Sequence, residues 1–183
     1  LSVPNIRLFA PATGPELKAI LLHMEHDSQS PLAVRFPKAS CAPEDLKLPL
    51  PDVKNIHPVV SGKGRNLAIV CIGTMWDTGL EVEKLIRNTK GILSRVIGVR
   101  WVRPLDTGAL EAEIARCDHV IFLEDSYIHS SAVSYIRSLL SASANGKHLH
   151  TFAFPEESIE HGTREEILHE YGLSARSIVG YLS

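Results

Sequence analysis

The chain has 183 residues, 44% of them hydrophobic and 22% charged, with a formal net charge of -2 and an isoelectric point near 6.5. That composition suits a soluble globular protein with room for one ordinary domain, or one domain and part of another. The balanced charge, with no basic run or aromatic-plus-basic stripe, gives no reason to expect nucleic acid or an anionic membrane as a partner.

Cys41, Cys71 and Cys117 are widely spaced and form no C-x-x-C pair. Neither a zinc ribbon nor a disulfide framework is indicated, and a reducing cytoplasm is the expected compartment. The apolar run Leu67 to Ile72 is far too short to span a bilayer, and nothing resembles a signal peptide. Residue 1 is leucine rather than methionine, and the next residues already read as strand. The chain is therefore expected to be part of something longer.

The first segment reads strand, helix, strand. Ile6 to Ala10 is a short β run closed by Pro11, and Thr13-Gly14-Pro15-Glu16 predicts a capping box. Leu17, Ile20, Leu21 and Met24 follow at helical spacing, and Leu32 to Phe36 is the next strand, stopped by Pro37. Prolines 37, 43, 49, 51 and 58, with little periodicity between them, predict an extended linker and a domain boundary.

Beyond it, Val59-Val60 and Asn66 to Ile72 flank Ser61-Gly62-Lys63-Gly64, which reads as a hairpin turn adding an antiparallel edge strand. A helix runs from Thr74 to about Asn88 with Met75, Gly79, Val82 and Ile86 on one face and Gly91 as its end signal. Arg95 to Val102 reads as one strand. Asp106 is the expected N-cap of the next helix, with Leu105 and Leu110 as a hydrophobic staple and Ile114 and Cys117 continuing the stripe. His119 to Leu123 is near-continuously apolar, as in a strand covered on both faces. A helix from about Ser131 to Ser143, a strand from Leu149 to Phe154, a capping box at Thr163 to Glu166 with Gly172 closing its helix, and a last helix from Ser174 complete the pattern. The fold class is α/β, with a mainly parallel sheet, an antiparallel edge strand and helices on both faces, preceded by a partial α/β segment.

Several chemistry-bearing patterns read as structural. Gly62-x-Gly64 precedes a strand, lacks the third glycine of a dinucleotide fingerprint and the Lys-Ser of a P-loop, and reads as a turn. No G-x-S-x-G elbow is present. The histidine pairs His23/His26 and His148/His150 have no acidic or cysteine partner at metal-site spacing, so surface histidines are expected. Two features stay open. Glu124-Asp125 ends an apolar strand, where open α/β sheets place ligands, but a solvated loop start reads equally well. Arg35, between Val34 and Phe36, is either a salt-bridged strand residue or a guanidinium fork for phosphate.

Taken together, three stretches resemble one family. Val3-Pro4-Asn5 through Ala10-Pro11, with Leu32-Ala33-Val34-Arg35-Phe36-Pro37, resembles the end of the pyrimidine-type domain of 1-deoxy-D-xylulose-5-phosphate synthases, which have an I-P-N or I-P-E opening and an A-V-R-Y-P-R-G ending there. Leu67 to Thr74, and Val102-Arg103-Pro104-Leu105-Asp106, are similar to the family's C-terminal domain. So is Ile159-Glu160-His161-Gly162-Thr163-Arg164-Glu165-Glu166, followed by Tyr171-Gly172-Leu173. Order and spacing hold over essentially the whole chain. The Arg103 to Asp106 block is shared with transketolases and 2-oxoacid dehydrogenase β subunits, and the Glu160 to Gly162 block is closer to the synthases.

The resemblance implies residues 1–37 as a remnant of the pyrimidine-type domain, 38–57 as a Pro-rich linker and 58–183 as a transketolase C-terminal-like domain. It implies a thiamine-diphosphate- and Mg²⁺-dependent transferase of isoprenoid precursor synthesis, joining pyruvate to glyceraldehyde 3-phosphate with loss of CO₂. In that family the arginine of A-V-R-Y-P helps hold the aldehyde's phosphate, a role that falls here on Arg35. No G-D-G with a downstream Asn is present, and the glutamate facing the aminopyrimidine would lie upstream of Leu1. The chain alone is thus expected to carry no catalytic, cofactor-binding or metal-binding residue, to be inactive, and to pair as a homodimer or with the remaining domains. Lys38-Ala39 replaces the family's Arg-Gly, and Ser126 to Ser131 replaces its Gly-Gly loop, so a divergent function is also open. The other readings are a split transketolase-type subunit and a stand-alone anion-binding regulatory module.

Overall fold

In the computed structural model, which describes residues 3–27, 30–37, 40–141 and 147–182, the central element is a pair of six-residue parallel strands. They are β4 (Leu67–Ile72) and β5 (Ser94–Val99), every residue of which is buried. A strand covered on both faces favours apolar side chains at successive positions, which is why β4 (Leu-Ala-Ile-Val-Cys-Ile) does not alternate; β5 opens on the buried polar pair Ser94 and Arg95 before its apolar stretch. β7 (His119–Tyr127) lies parallel on the other side of β4, and β8 (His148–Phe154) parallel to β7. β3 (Val59–Ser61) completes one edge, antiparallel to β5, giving the order β3-β5-β4-β7-β8.

Helices cover both faces, as expected. α2 (Met75–Lys90), α5 (Arg164–Glu170) and α6 (Ala175–Tyr181) pack on one core with Ile69, Cys71, Val96 and Ile121. α3 (Thr107–Ala115) and α4 (Ala132–Leu139) pack on the other with Val70, Ile72, Ile97 and Phe122. Their ends follow the local signals. Asp106 accepts from Ala109 N–H at 2.9 Å, Thr163 and Glu166 form a reciprocal capping box, and Gly91 and Gly172 adopt φ of 66° and 73°.

The Gly62 turn does not make a hairpin. β3 pairs with β5 rather than β4, because the chain crosses the start of β5: Gly64 N–H donates to Ser94 O at 3.2 Å and Asn66 N–H to Leu93 O at 3.2 Å. A side chain at 64 would sit 2.2 Å from the Leu93 carbonyl carbon, so only glycine permits the crossing.

The expected strand Arg95 to Val102 is likewise two strands. β5 ends at Val99, and β6 (Trp101–Arg103) leaves for a second sheet of order β2-β1-β6, built with β1 (Arg7–Phe9) and β2 (Leu32–Val34). Arg100 is the residue of transfer, and its carbonyl accepts from Ala10 N–H at 2.7 Å. Trp101 becomes the centre of the first segment's core, edge-on to Phe9 at 5.0 Å and packed with Ile20 of α1 (Gly14–Met24). The proline-rich stretch is docked on the same core: Val53 is buried in it and its carbonyl accepts from Trp101 Nε1 at 2.7 Å. Leu21 and Leu22 of α1 remain exposed, as does Phe36 at the cleft. Lys38, Ala39 and Ser143 lie outside the described residues, but the helix expected to reach Ser143 ends earlier: α4 stops at Leu139, and Leu140 is already extended.

Candidate functional site: the cleft at the carboxyl ends of β4 and β7

β4 leads into α2 on one face of the sheet, whereas β7 leads into α4 on the other. Their carboxyl ends therefore open a crevice where the chain direction switches faces, the usual ligand position of open α/β sheets. Gly73-Thr74 and Glu124-Asp125 stand on its two sides, and Arg35 enters it from the end of β2.

Glu124 is fully buried and accepts from Ala132 N–H at 3.0 Å and Val133 N–H at 2.9 Å, so it caps the start of α4 from a distant strand. Its Oε1 also pairs with Arg35 Nη1. Arg35 Nη2 reaches Asp125 Oδ1 at 3.3 Å. The other Asp125 oxygen accepts from Thr74 Oγ1 at 3.1 Å and from Arg164 Nη2 at 2.9 Å. Two arginines from opposite ends of the chain thus converge on one carboxylate. The replaced loop after Asp125 extends β7 to Tyr127 and adds a single 3₁₀ turn, Ile128–Ser130, before Ser131 caps α4.

A second charged group adjoins the first. Glu16 accepts from Arg100 Nε at 3.0 and 3.1 Å and from Ala12 N–H at 2.6 Å, while Arg100 lies 4.6 Å over the Trp76 ring. This departs from the expected capping box at α1: Thr13 Oγ1 does accept from Glu16 N–H at 3.3 Å, but the Glu16 carboxylate is drawn to Arg100. Thr13, Glu16, Phe36, Thr74, Asp77 and Arg164 all line a cavity of about 730 Å³ between the first segment and α2.

Asp77 is exposed at the mouth of that cavity, and the protein around it displaces part of its hydration. Desolvation raises its carboxyl above the usual range against the pull of Arg100 and Arg164, with Glu16 adding to the rise. A raised pKa in the folded state stabilises the fold below the ordinary carboxylate value, and this stabilisation is lost as pH rises through the raised one. Asp77→Asn is therefore expected to be more stable than the parent at neutral pH, with the difference vanishing in acid. Urea melts of both proteins across the acidic range check this; parallel pH profiles would remove Asp77 from the balance.

Arg35 and Glu124-Asp125, distant in sequence, are thus brought together, while Cys41, Cys71 and Cys117 are all free thiols, the first exposed and the other two buried. Sequence reasoning missed Arg164, Thr74, Glu16, Arg100 and Asp77. Arg100 left one signal, a cation between the apolar Val99 and Trp101, while Glu16, Thr74 and Arg164 were legible only as helix-start or family-like positions.

The residues do not fit Mg²⁺ with a diphosphate. Among the described residues no group of three or more His, Cys, Asp or Glu side chains gathers to ligate a metal. The cleft carboxylates Glu124 and Asp125 already serve arginines and backbone N–H groups, leaving no free oxygen set for octahedral coordination. Among the described residues, too, no helix is long and apolar enough to cross a membrane.

The family described as transketolase, C-terminal domain, matches residues 58–178. A 1-deoxy-D-xylulose-5-phosphate synthase of Chlorobaculum tepidum is 30% identical over 184 residues, spanning 97% of this chain and 28% of that protein. The synthase of Fusobacterium nucleatum is 29% identical, spanning 98% of the chain and 29% of the relative. The chain thus spans under a third of the length of these curated relatives. Among solved structures, a split-gene transketolase described as an inactive β4 tetramer superposes with a TM-score of 0.77 at 21% identity, over 98% of this chain and 57% of that one. A Campylobacter jejuni transketolase gives 0.63 at 17% identity, over 98% and 26%.

Proposed function

Since the chain belongs to the transketolase C-terminal domain family, we propose that it is the C-terminal part of a 1-deoxy-D-xylulose-5-phosphate synthase, incomplete as a catalyst by itself. The observation that carries this is the similarity to such synthases along 97% of the chain, first segment included. The whole enzyme would join pyruvate to glyceraldehyde 3-phosphate with release of CO₂, in the cytoplasm. Thiamine diphosphate and Mg²⁺ belong to that whole enzyme in this reading, and none to these residues, whose donor set does not suit them. The chain's own contribution is a docking platform and one substrate contact. The exposed Leu21 and Leu22 of α1 support a partner surface, either the remaining domains or a second copy.

The substrate contact we assign is Arg35, with the aldehyde's phosphate as its ligand. Its side chain is 33% exposed at the lip of a small cavity of about 120 Å³ that it shares with Gly73, Thr74 and Asp125. A second reading is favoured by the pairing with Glu124 and Asp125, in which Arg35 only braces the first segment against the sheet. Kinetics of the intact enzyme separate the two. A lost charge-assisted contact to phosphate lowers kcat/KM for the phosphorylated aldehyde by about one to two orders of magnitude in Arg35→Ala, with KM for pyruvate unchanged. A brace alone lowers the melting temperature and affects both substrates equally.

A further inference from the structure

The loop that failed to make a hairpin has a second property. Gly62 to Arg65 arches over the start of β5 and the end of α3, at the opposite end of β4 from Glu124 and Asp125, and borders an open basin of about 450 Å³. Lys63, Arg65, Arg95 and Arg116 line it, opposed by the single carboxylate of Glu113. Four cationic side chains against one anion leave a local excess of three positive charges in a chain whose net charge is -2.

This is a built site rather than a scatter of surface lysines. Arg95 forms its floor: its side chain is 6% exposed, Nε donates to Gly64 O at 2.9 Å, and Nη1 pairs with Glu113. Glu113 is already divided, since Arg116 Nε lies 3.6 Å from its other oxygen. It therefore cannot also neutralise Lys63 and Arg65, which have no ion-pair partner among the described residues. A concave wall of one sign concentrates counter-ions, and guanidinium forks match phosphate oxygens two at a time. The volume falls in the ordinary range for small-molecule sites.

We propose that this basin binds a small, multiply charged phosphate anion of the diphosphate class, separately from the cleft at the other end of the sheet. Three uncompensated charges match such a ligand better than a monoanion, and the depth to Arg95 suits a compact phosphate head rather than an extended polymer.

The experiment uses inorganic pyrophosphate and the full chain, with calorimetric titration and thermal melts at low salt. Saturable binding to one site is expected, with a rise in melting temperature that sulfate at equal ionic strength does not reproduce. Lys63 and Arg65 are exposed and touch no core, so their alanine variants should fold. Each should weaken pyrophosphate binding about tenfold, as expected for one charged contact, whereas Arg87→Ala on α2 should leave it unchanged. Three results would overturn the proposal: no saturable binding, equal stabilisation by sulfate, or equal losses in Arg65→Ala and Arg87→Ala.

Discussion

Glu124→Ala is expected to destabilise the chain by about 3 kcal/mol, a fall of roughly 10 °C in melting temperature. The Glu124 side chain is fully buried at the end of a central strand and satisfies three groups at once: the Ala132 and Val133 N–H groups and the Arg35 guanidinium. Truncation leaves two amide donors at the start of α4 without an acceptor, removes a negative charge from the positive end of the helix, and strands a half-buried cation. Because Arg35 is 33% exposed and keeps its 3.3 Å contact with Asp125, water screens part of the loss, which places the cost at the low end for a buried pair. Glu124→Gln should recover little, since an amide offers one acceptor oxygen where the carboxylate uses two, and turns a donor toward donors. Denaturant melts of Glu124→Ala, Arg35→Ala and the double variant apportion the effect. If the cap dominates, Arg35→Ala costs far less than Glu124→Ala and the double variant resembles the latter. A Glu124→Ala cost below about 1 kcal/mol would mean that water replaces the carboxylate and the site is not the closed unit described.

The two halves of that pair were each legible in the sequence, but their meeting was not. Arg35 stands out as a cation in an apolar strand, and Glu124-Asp125 as carboxylates closing another, yet they are 89 and 90 residues apart. Nothing local sets which strand ends share a crevice; that depends on strand order, which is a long-range choice. The same physics explains the other departures. Helix ends are decided within four residues, so Asp106, Thr163, Ser174 and Gly91 could be assigned from their neighbours. The partner of β3 and the transfer of the chain between sheets at Arg100 depend on surfaces distant in sequence. Glu16 shows both regimes in one residue: its backbone obeys the local cap, and its carboxylate answers to Arg100, 84 residues away.

Gly79→Ala reverses the usual rule for a helix interior. At an exposed site the change would stabilise α2 by about 1 kcal/mol through helix propensity. Here the added Cβ would lie 2.3 Å from Cys71 Sγ and 3.0 Å from Val96 Cγ1, on the face where α2 meets β4 and β5. Neither neighbour has room to give: both are fully buried. The cost of overpacking a dense core, about 1 to 3 kcal/mol, therefore exceeds the propensity gain, and a net loss is expected. The sulfur is the principal obstacle, which makes the claim separable from a general effect of substitution. Burial pushes the Cys71 thiol far above its usual range, so it acts here as a small apolar filler rather than as a nucleophile. Cys71→Ala alone should destabilise by opening a void. Combined with Gly79→Ala, the new methyl occupies the space the sulfur leaves, and the double variant should be more stable than additivity predicts by about 1 to 2 kcal/mol. Strictly additive losses would mean that the helix shifts off the sheet instead of pressing on Cys71. A Gly79→Ala variant as stable as the parent would mean that α2 never approached β4 so closely.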